Sequence, residues 1–212
     1  MHLFHKISNT RYIALLCALI SGCASHAAPP NLYDFGPLHA SAANTDSTGT
    51  IAGAPLQSIS IASVDAPAAL NSPLMLYRLN YVNDLQTRSY ANSRWSMTPA
   101  QLLEQRIKAR LAQAGTVVLS GRESTDTLPT LRIELDEMIQ SFSSLNQSQA
   151  QLALRATLSK GRTLLAQKSF RQQIAAASAD AAGGAQAMAS ASDALIGEIM
   201  AWLADQPISQ QK

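Results

Sequence analysis

The sequence predicts an α/β (α+β) domain, a mixed, mostly antiparallel sheet with two helices packed on one face. Three observations carry this. Apolar residues recur with a period of two from Leu131 to Leu135 and from Ala150 to Leu158, and they recur with helical spacing after Thr98 and after Asp180. The order is strands, helix, more strands, helix, without internal repeats, and that order fits helices segregated to one side of a sheet.

Gln57 to Val64 is rich in β-branched residues, with Ile59 and Ile61 on one face, and ends in the turn Asp65-Ala66-Pro67. Met75, Tyr77, Leu79 and Tyr81 share a side opposite Arg78 and Asn80. Asn83-Asp84 then offers a turn before Ser89 to Trp95, so a hairpin is expected. Thr98-Pro99-Ala100-Gln101 supplies a capping hydroxyl, proline at the first helical position and a glutamine that can reach back. Leu103, Ile107 and Leu111 form the stripe of that helix, and Gly115 stops it.

Val117 and Leu119 read as a short strand. In the next, Leu131, Ile133 and Leu135 alternate with Arg132, Glu134 and Asp136, so the charges lie opposite the core. Those acids, with Glu137, are expected to be solvated strand positions rather than a catalytic pair. Ala150, Leu152, Leu154, Ala156 and Leu158 point inward, Lys160-Gly161-Arg162 turns, and Thr163 to Gln173 returns with Leu164, Ala166 and Phe170 inward. Asp180 opens a last helix with Met188, Leu195, Ile199 and Trp202 on one face, ended by Pro207. Gly183-Gly184 lacks the Gly-Lys-Ser/Thr of a phosphate loop, so close packing is the expected reason for both glycines.

The amino terminus is of another kind. Lys6 and Arg11 precede the nine-residue apolar run Tyr12 to Ile20, too short to cross a hydrocarbon layer about 30 Å thick. Leu19-Ile20-Ser21-Gly22-Cys23 resembles a bacterial lipoprotein signal, which makes residues 1–22 a signal peptide and Cys23 the site of lipid attachment. Three acyl chains, at about 0.8 kcal/mol per buried CH₂, amount to a lasting anchor. Ala24 follows the cysteine, and resemblance to other lipoproteins makes that a signal for the outer membrane.

Fifteen of the eighteen residues from Leu38 to Pro55 are Ala, Ser, Thr, Asn, Asp, Gly or Pro, so residues 23–55 read as a lipidated terminus and flexible tether. Within it Leu32-Tyr33-Asp34-Phe35-Gly36-Pro37 is an apolar island, read as a short edge strand docking on the domain or on a neighbouring subunit, or else as a tolerated hydrophobic cluster. Residues 56–206 form the domain and 207–212 a tail.

Composition excludes several functions. The chain has 16 Lys plus Arg and 14 Asp plus Glu, and the two basic residues of the signal make up the difference, so the mature chain is formally neutral. With few aromatics it has neither the basic stripe nor the stacking platform that nucleic acid requires. All four histidines precede residue 40, and Cys17 leaves with the signal. The usual nucleophile and base pairs and the common zinc sites have no residues in the folded part, so no enzyme, metal or cofactor is expected.

Tyr33-Asp34-Phe35-Gly36, Asp65-Ala66-Pro67, Met75-Leu76-Tyr77-Arg78-Leu79, Tyr90-Ala91, Ser93-Arg94-Trp95, Pro99 and Leu102-Leu103, after the lipidated cysteine, together resemble the ABC-type transport auxiliary lipoprotein family. The resemblance implies a non-catalytic outer-membrane lipoprotein in the periplasm. It would dock an MCE-domain protein that works with a permease and an ATPase to move lipid between membranes. Arg78 and Arg94, each expected to face away from the apolar side of its strand, are the candidate partner contacts. A homo-oligomer stays open, as do a lipid-binding carrier and a tethered regulator of another envelope complex.

Overall fold

The structure is a computed structural model that describes residues 28–38, 58–120 and 128–206. The expected signal, Cys23, most of the tether and the tail 207–212 lie outside the described residues. In chain order the elements are β1 (Asn31–Tyr33), β2 (Ile59–Ile61), a 3-10 turn (Ala68–Leu70), β3 (Leu74–Leu79), β4 (Thr87–Trp95), α1 (Pro99–Gln113), β5 (Val118–Ser120), β6 (Pro129–Ser144), β7 (Gln147–Lys160), β8 (Thr163–Ala175) and α2 (Ala181–Ala204).

The long strand β6 organises the sheet. Along one edge it pairs antiparallel with β7 from Pro129↔Lys160 to Ser144↔Gln147, and β7 pairs in turn with β8. Two parallel partners share its other edge. β2 takes the first part through Ser60↔Thr130 and Ile61↔Leu131, and β3 takes the last part from Tyr77↔Gln140 to Leu79↔Phe142. β5 extends the sheet beyond β2, and β4 then β1 extend it beyond β3. The three antiparallel ladders hold most of the residue pairs, so the sheet is mixed and mostly antiparallel, as the alternation predicts.

The core lies between this sheet and the two helices. Leu131, Ile133, Ala150, Leu152, Leu154, Ala156 and Leu158 all point into it, as do Leu103, Ile107 and Leu111 of α1 and Leu195, Ile196 and Ile199 of α2. Each such Leu or Ile contributes about 1.5–3 kcal/mol by leaving water. α1 starts on the expected capping box: Gln101 N–H donates to Thr98 Oγ1 (3.4 Å), and Thr98 N–H donates to Gln101 Oε1 (3.1 Å). Gly115 closes it at φ 80°, a left-handed conformation that suits glycine. Asp180 caps α2 by accepting from Gly183 N–H at 2.8 Å. Gly183 and Gly184 do serve close packing, since a Cβ on Gly184 would overlap the side-chain amide of Gln140.

One expectation changes. Leu164 is 62% exposed rather than inward, because the β7–β8 ladder skips Leu165 between Leu158↔Ala166 and Ser159↔Leu164. That bulge inverts the alternation, and Leu165 packs against the core instead. Within the stretch read as tether, residues 31–33 pair with β4 and Phe35 is buried, so the apolar island docks on the domain as an edge strand.

Candidate functional site

The segment 31–36 forms an arm laid across the domain. β1 pairs parallel with β4 from Asn31↔Ser93 to Tyr33↔Trp95, and Ser96 N–H donates to the Tyr33 carbonyl (2.7 Å). The chain then turns on Asp34, whose Oδ1 accepts from Gly36 N–H (2.7 Å), with Gly36 at φ 66°. This turn drives Phe35 inward, edge-on to Trp95 with ring centroids 5.8 Å apart.

Arg106 fixes the end of the arm. It is 6% exposed, donates through Nη1 to the Gly36 carbonyl (2.9 Å), and grips Asp193 of α2 through Nε and Nη2 (both 2.7 Å). Arg110, one turn on, reaches the same carboxylate at 2.9 Å and 3.2 Å. Burial pushes the Asp193 carboxyl up, but hydrogen bonds and positive charge from Arg106 and Arg110 outweigh it and hold it below its ordinary value. A groove of about 240 Å³ runs between the arm and α1, past Phe35, Met97, Leu102 and Ala109. One of about 430 Å³ runs between the arm and α2, past Leu32, Tyr33, Ala185 and Ala189. Both are open troughs within or below the 300–1,000 Å³ of drug-sized pockets, and a two-chain phospholipid is larger than such ligands.

A second polar hub lies at the amino-terminal end of α2. Tyr90 O–H donates to Gln140 Oε1 (2.9 Å), and Gln140 Nε2 donates to Ser148 Oγ (2.8 Å) and to the Asp180 carbonyl (3.1 Å). Tyr77 stacks at a tilt on Tyr90 and edge-on to Phe142. Burial foremost, then the Asp180 charge, pushes the Tyr90 phenol well above its ordinary value.

The two expected partner contacts are not brought together. Arg78 lies opposite Thr87 and Ser141 on the helix-free face, with Nη1 3.6 Å from Glu137 and its buried Nε without a hydrogen-bond partner. Arg94 lies opposite Leu74 and donates to the carbonyls of Tyr90 and Ser93 (2.8 Å for the latter). It braces a bulge there, because six residues of β4, Ser89 to Arg94, span three of β3, Leu74 to Leu76. Tyr90 and Trp95 therefore both meet the core despite unequal phase.

The acids of β6 are divided. Glu134 pairs with Arg155 (3.2 Å), and Glu137 sits between Arg78 and Arg171, each 3.6 Å away. Among the described residues no three His, Cys, Asp or Glu side chains converge on a metal position. Cys23 lies outside the described residues.

Sequence reasoning passed over Arg106, Asp193 and Gln140. A signal for the first two was present: Arg106 and Arg110 stand one turn apart beside the apolar stripe of α1, and Asp193 and Glu198 are the only charged residues of α2. Gln140 had no such marker.

Compared with known proteins, residues 38–200 match the family model of the ABC-type transport auxiliary lipoprotein component. No curated protein matches the sequence. Among solved structures, a Xanthomonas campestris protein of the DUF330 family aligns with a TM-score of 0.64 at 18% identity, over 73% of this chain and 88% of its own. An uncharacterized protein aligns with a TM-score of 0.63 at 13% identity, over 83% of this chain and 99% of its own. At these identities the likeness is one of fold, and the DUF330 proteins fall in the same family.

Proposed function

The chain belongs to the ABC-type transport auxiliary lipoprotein family, and from that premise we propose that it is the outer-membrane-anchored docking component of an MCE-linked system moving lipid between the two envelope membranes. Cys23 carries the acyl chains. An MCE-domain protein, and through it a permease and an ATPase, are its partners. The reading rests on the family match together with a surface built for contact rather than enclosure: shallow troughs flank the arm, and no cavity there would hold a phospholipid.

Two surfaces suit the partner. The helix-free face presents Arg78, whose guanidinium is only loosely held by Glu137. Among the described residues no strand pairs the outer edge of β8, which leaves a row of backbone donors and acceptors that an added strand can pair. Arg94 has its Nη1 engaged by two β4 carbonyls, so its replacement acts on the partner through the shape of the hairpin.

The test is membrane extraction and co-purification. The wild-type chain should float with outer membranes, incorporate labelled palmitate and bring down the MCE protein under gentle detergent. Cys23→Ser should abolish the label and the flotation, and Arg78→Glu should weaken the co-purification alone. Stoichiometric phospholipid in an organic extract of the domain would overturn the docking role in favour of a carrier.

A further inference from the structure

We propose that the loop between β3 and β4, with the turn between β6 and β7, seats in the headgroup and acyl boundary of the same bilayer that holds the acyl chains, and so fixes the orientation of the domain. The inference rests on acylation of Cys23.

Both connections lie at one end of the sheet, since Leu79 pairs with Phe142 and Asn80 N–H donates to the Phe142 carbonyl (3.0 Å). There Leu85 is 90% exposed, Leu145 75%, Val82 60% and Tyr81 43%. Scattered exposed apolar residues are ordinary, but four on two adjoining turns make a patch that calls for a cover. The loop is held in shape: Val82 and Asn83 N–H both donate to the Leu79 carbonyl (2.9 Å), Leu85 N–H donates to Asn83 Oδ1 (3.0 Å), and Asn80 Nδ2 donates to Ser141 Oγ (2.7 Å). Residues 80–86 contain one charge, Asp84, and residues 143–147 none, so little has to be desolvated when the tip enters an interface. Tyrosine is at home at that depth.

The direction and length of the amino-terminal chain choose the bilayer as the cover. β3 runs toward the tip, β4 runs away from it, and β1 is parallel to β4, so the chain preceding Asn31 leaves in the direction of the tip. Leu32 is level with Arg94, and Arg94 with Leu74. From Leu32 back to Cys23 is nine residues, a reach of about 30 Å at full extension, whereas from Leu74 to the end of β3 at Leu79 is five residues, about 17 Å, beyond which the chain turns back with Asn83 N–H on the Leu79 carbonyl. The chain ahead of Leu32 is therefore long enough to bring Cys23 level with the tip. The acylated residue can thus meet the membrane with the tip leading and the opposite end of the sheet, at Gly115 and the Lys160 to Arg162 turn, facing the periplasm, whereas seating that opposite end would require the chain to double back ahead of β1.

The experiment uses the acylated chain in vesicles of phosphatidylethanolamine and phosphatidylglycerol. Once Cys17 is gone and Cys23 acylated, an introduced cysteine is the one free thiol. Leu85→Cys, Leu145→Cys and, at the far end, Arg162→Cys are labelled with an environment-sensitive fluorophore, and acyl-chain spin-labelled lipid is the quencher. The labels at Leu85 and Leu145 should shift to the blue and be quenched several-fold more than the label at Arg162. Equal, water-like spectra at all three positions in chains that float with the vesicles would overturn the seating while leaving the anchor intact. Shielding of the tip that disappears on diluting the protein in the vesicles would assign the patch to a second copy and also overturn it. Chains that do not float at all would overturn both the anchor and the seating.

Discussion

Arg106 and Asp193, 87 residues apart, close a two-pronged ion pair with both N···O distances at 2.7 Å, and the third guanidinium nitrogen of Arg106 holds the carbonyl of Gly36. One buried side chain thus ties α1, α2 and the amino-terminal arm together. Arg110 doubles the charge on Asp193 from the more exposed side.

Asp193→Ala leaves the Arg106 guanidinium buried without its counter-charge. Removing one partner of a fully buried pair costs about 3–5 kcal/mol. Asp193 is a quarter exposed and the Gly36 carbonyl remains, so a loss of about 2–3 kcal/mol is expected in a denaturant titration. Hydrogen exchange should quicken at Tyr33 to Gly36 before it does in β6.

Acid should act through the same carboxylate and through Asp180, whose carboxyl is lowered first by Gly183 N–H and then by Ser178. Both groups ionise more readily in the fold than in the unfolded chain. Their contribution is therefore complete above about pH 4, the ordinary carboxylate range, and is lost as pH falls through it. Melting temperature followed from pH 7 down to pH 3 should drop less steeply in Asp180→Asn, since asparagine caps a helix without titrating.

Tyr90→Phe removes the donor to Gln140 Oε1 and leaves a buried acceptor unmet, a loss of about 1–3 kcal/mol. The alkaline limb gives a second readout. Because the folded phenol keeps its proton longer than the unfolded one, stability is intact below about pH 10 and falls as pH rises above it. That part of the fall should be absent in the variant.

Two glycines of α2 should respond in opposite senses to alanine. At Gly184 the new Cβ meets the amide of Gln140, and overpacking of this kind costs about 1–3 kcal/mol. At Gly197 nothing stands within 4 Å, so Gly197→Ala should raise stability by about 0.5–1 kcal/mol. Thermal melts of the two variants side by side decide it.

Much of the fold was legible because its signals are local. The Thr98 box, the Asp180 cap, the Gly115 stop and the alternations of β6 and β7 each specify their own element, and each stands where the residues place it. The parallel pairings were not legible. β2 and β3 line up along one edge of β6 through contacts of two or three residues each, and no spacing in a single chain records which edge a short strand will take. Bulges hid the phase of Leu164 and of Tyr90 against Trp95, because one skipped residue exchanges the two faces. The arm was half visible: its apolar island suggested a docked strand, but its receiver is β4 with Trp95, and its lock is Arg106, whose partner Asp193 lies 87 residues away on another helix.

The orientation of β1 has a mechanical side. A tug arriving from the amino-terminal side runs along the axis of the strand, so its three register pairs with β4 and the Ser96 to Tyr33 bond resist together in shear instead of parting one after another. The ring of Phe35, lodged against Trp95 behind a tight turn, then works as a stopper against sliding. A pull on the chain ahead of Asn31 is therefore met by β1 and by this ring before it reaches the rest of the sheet.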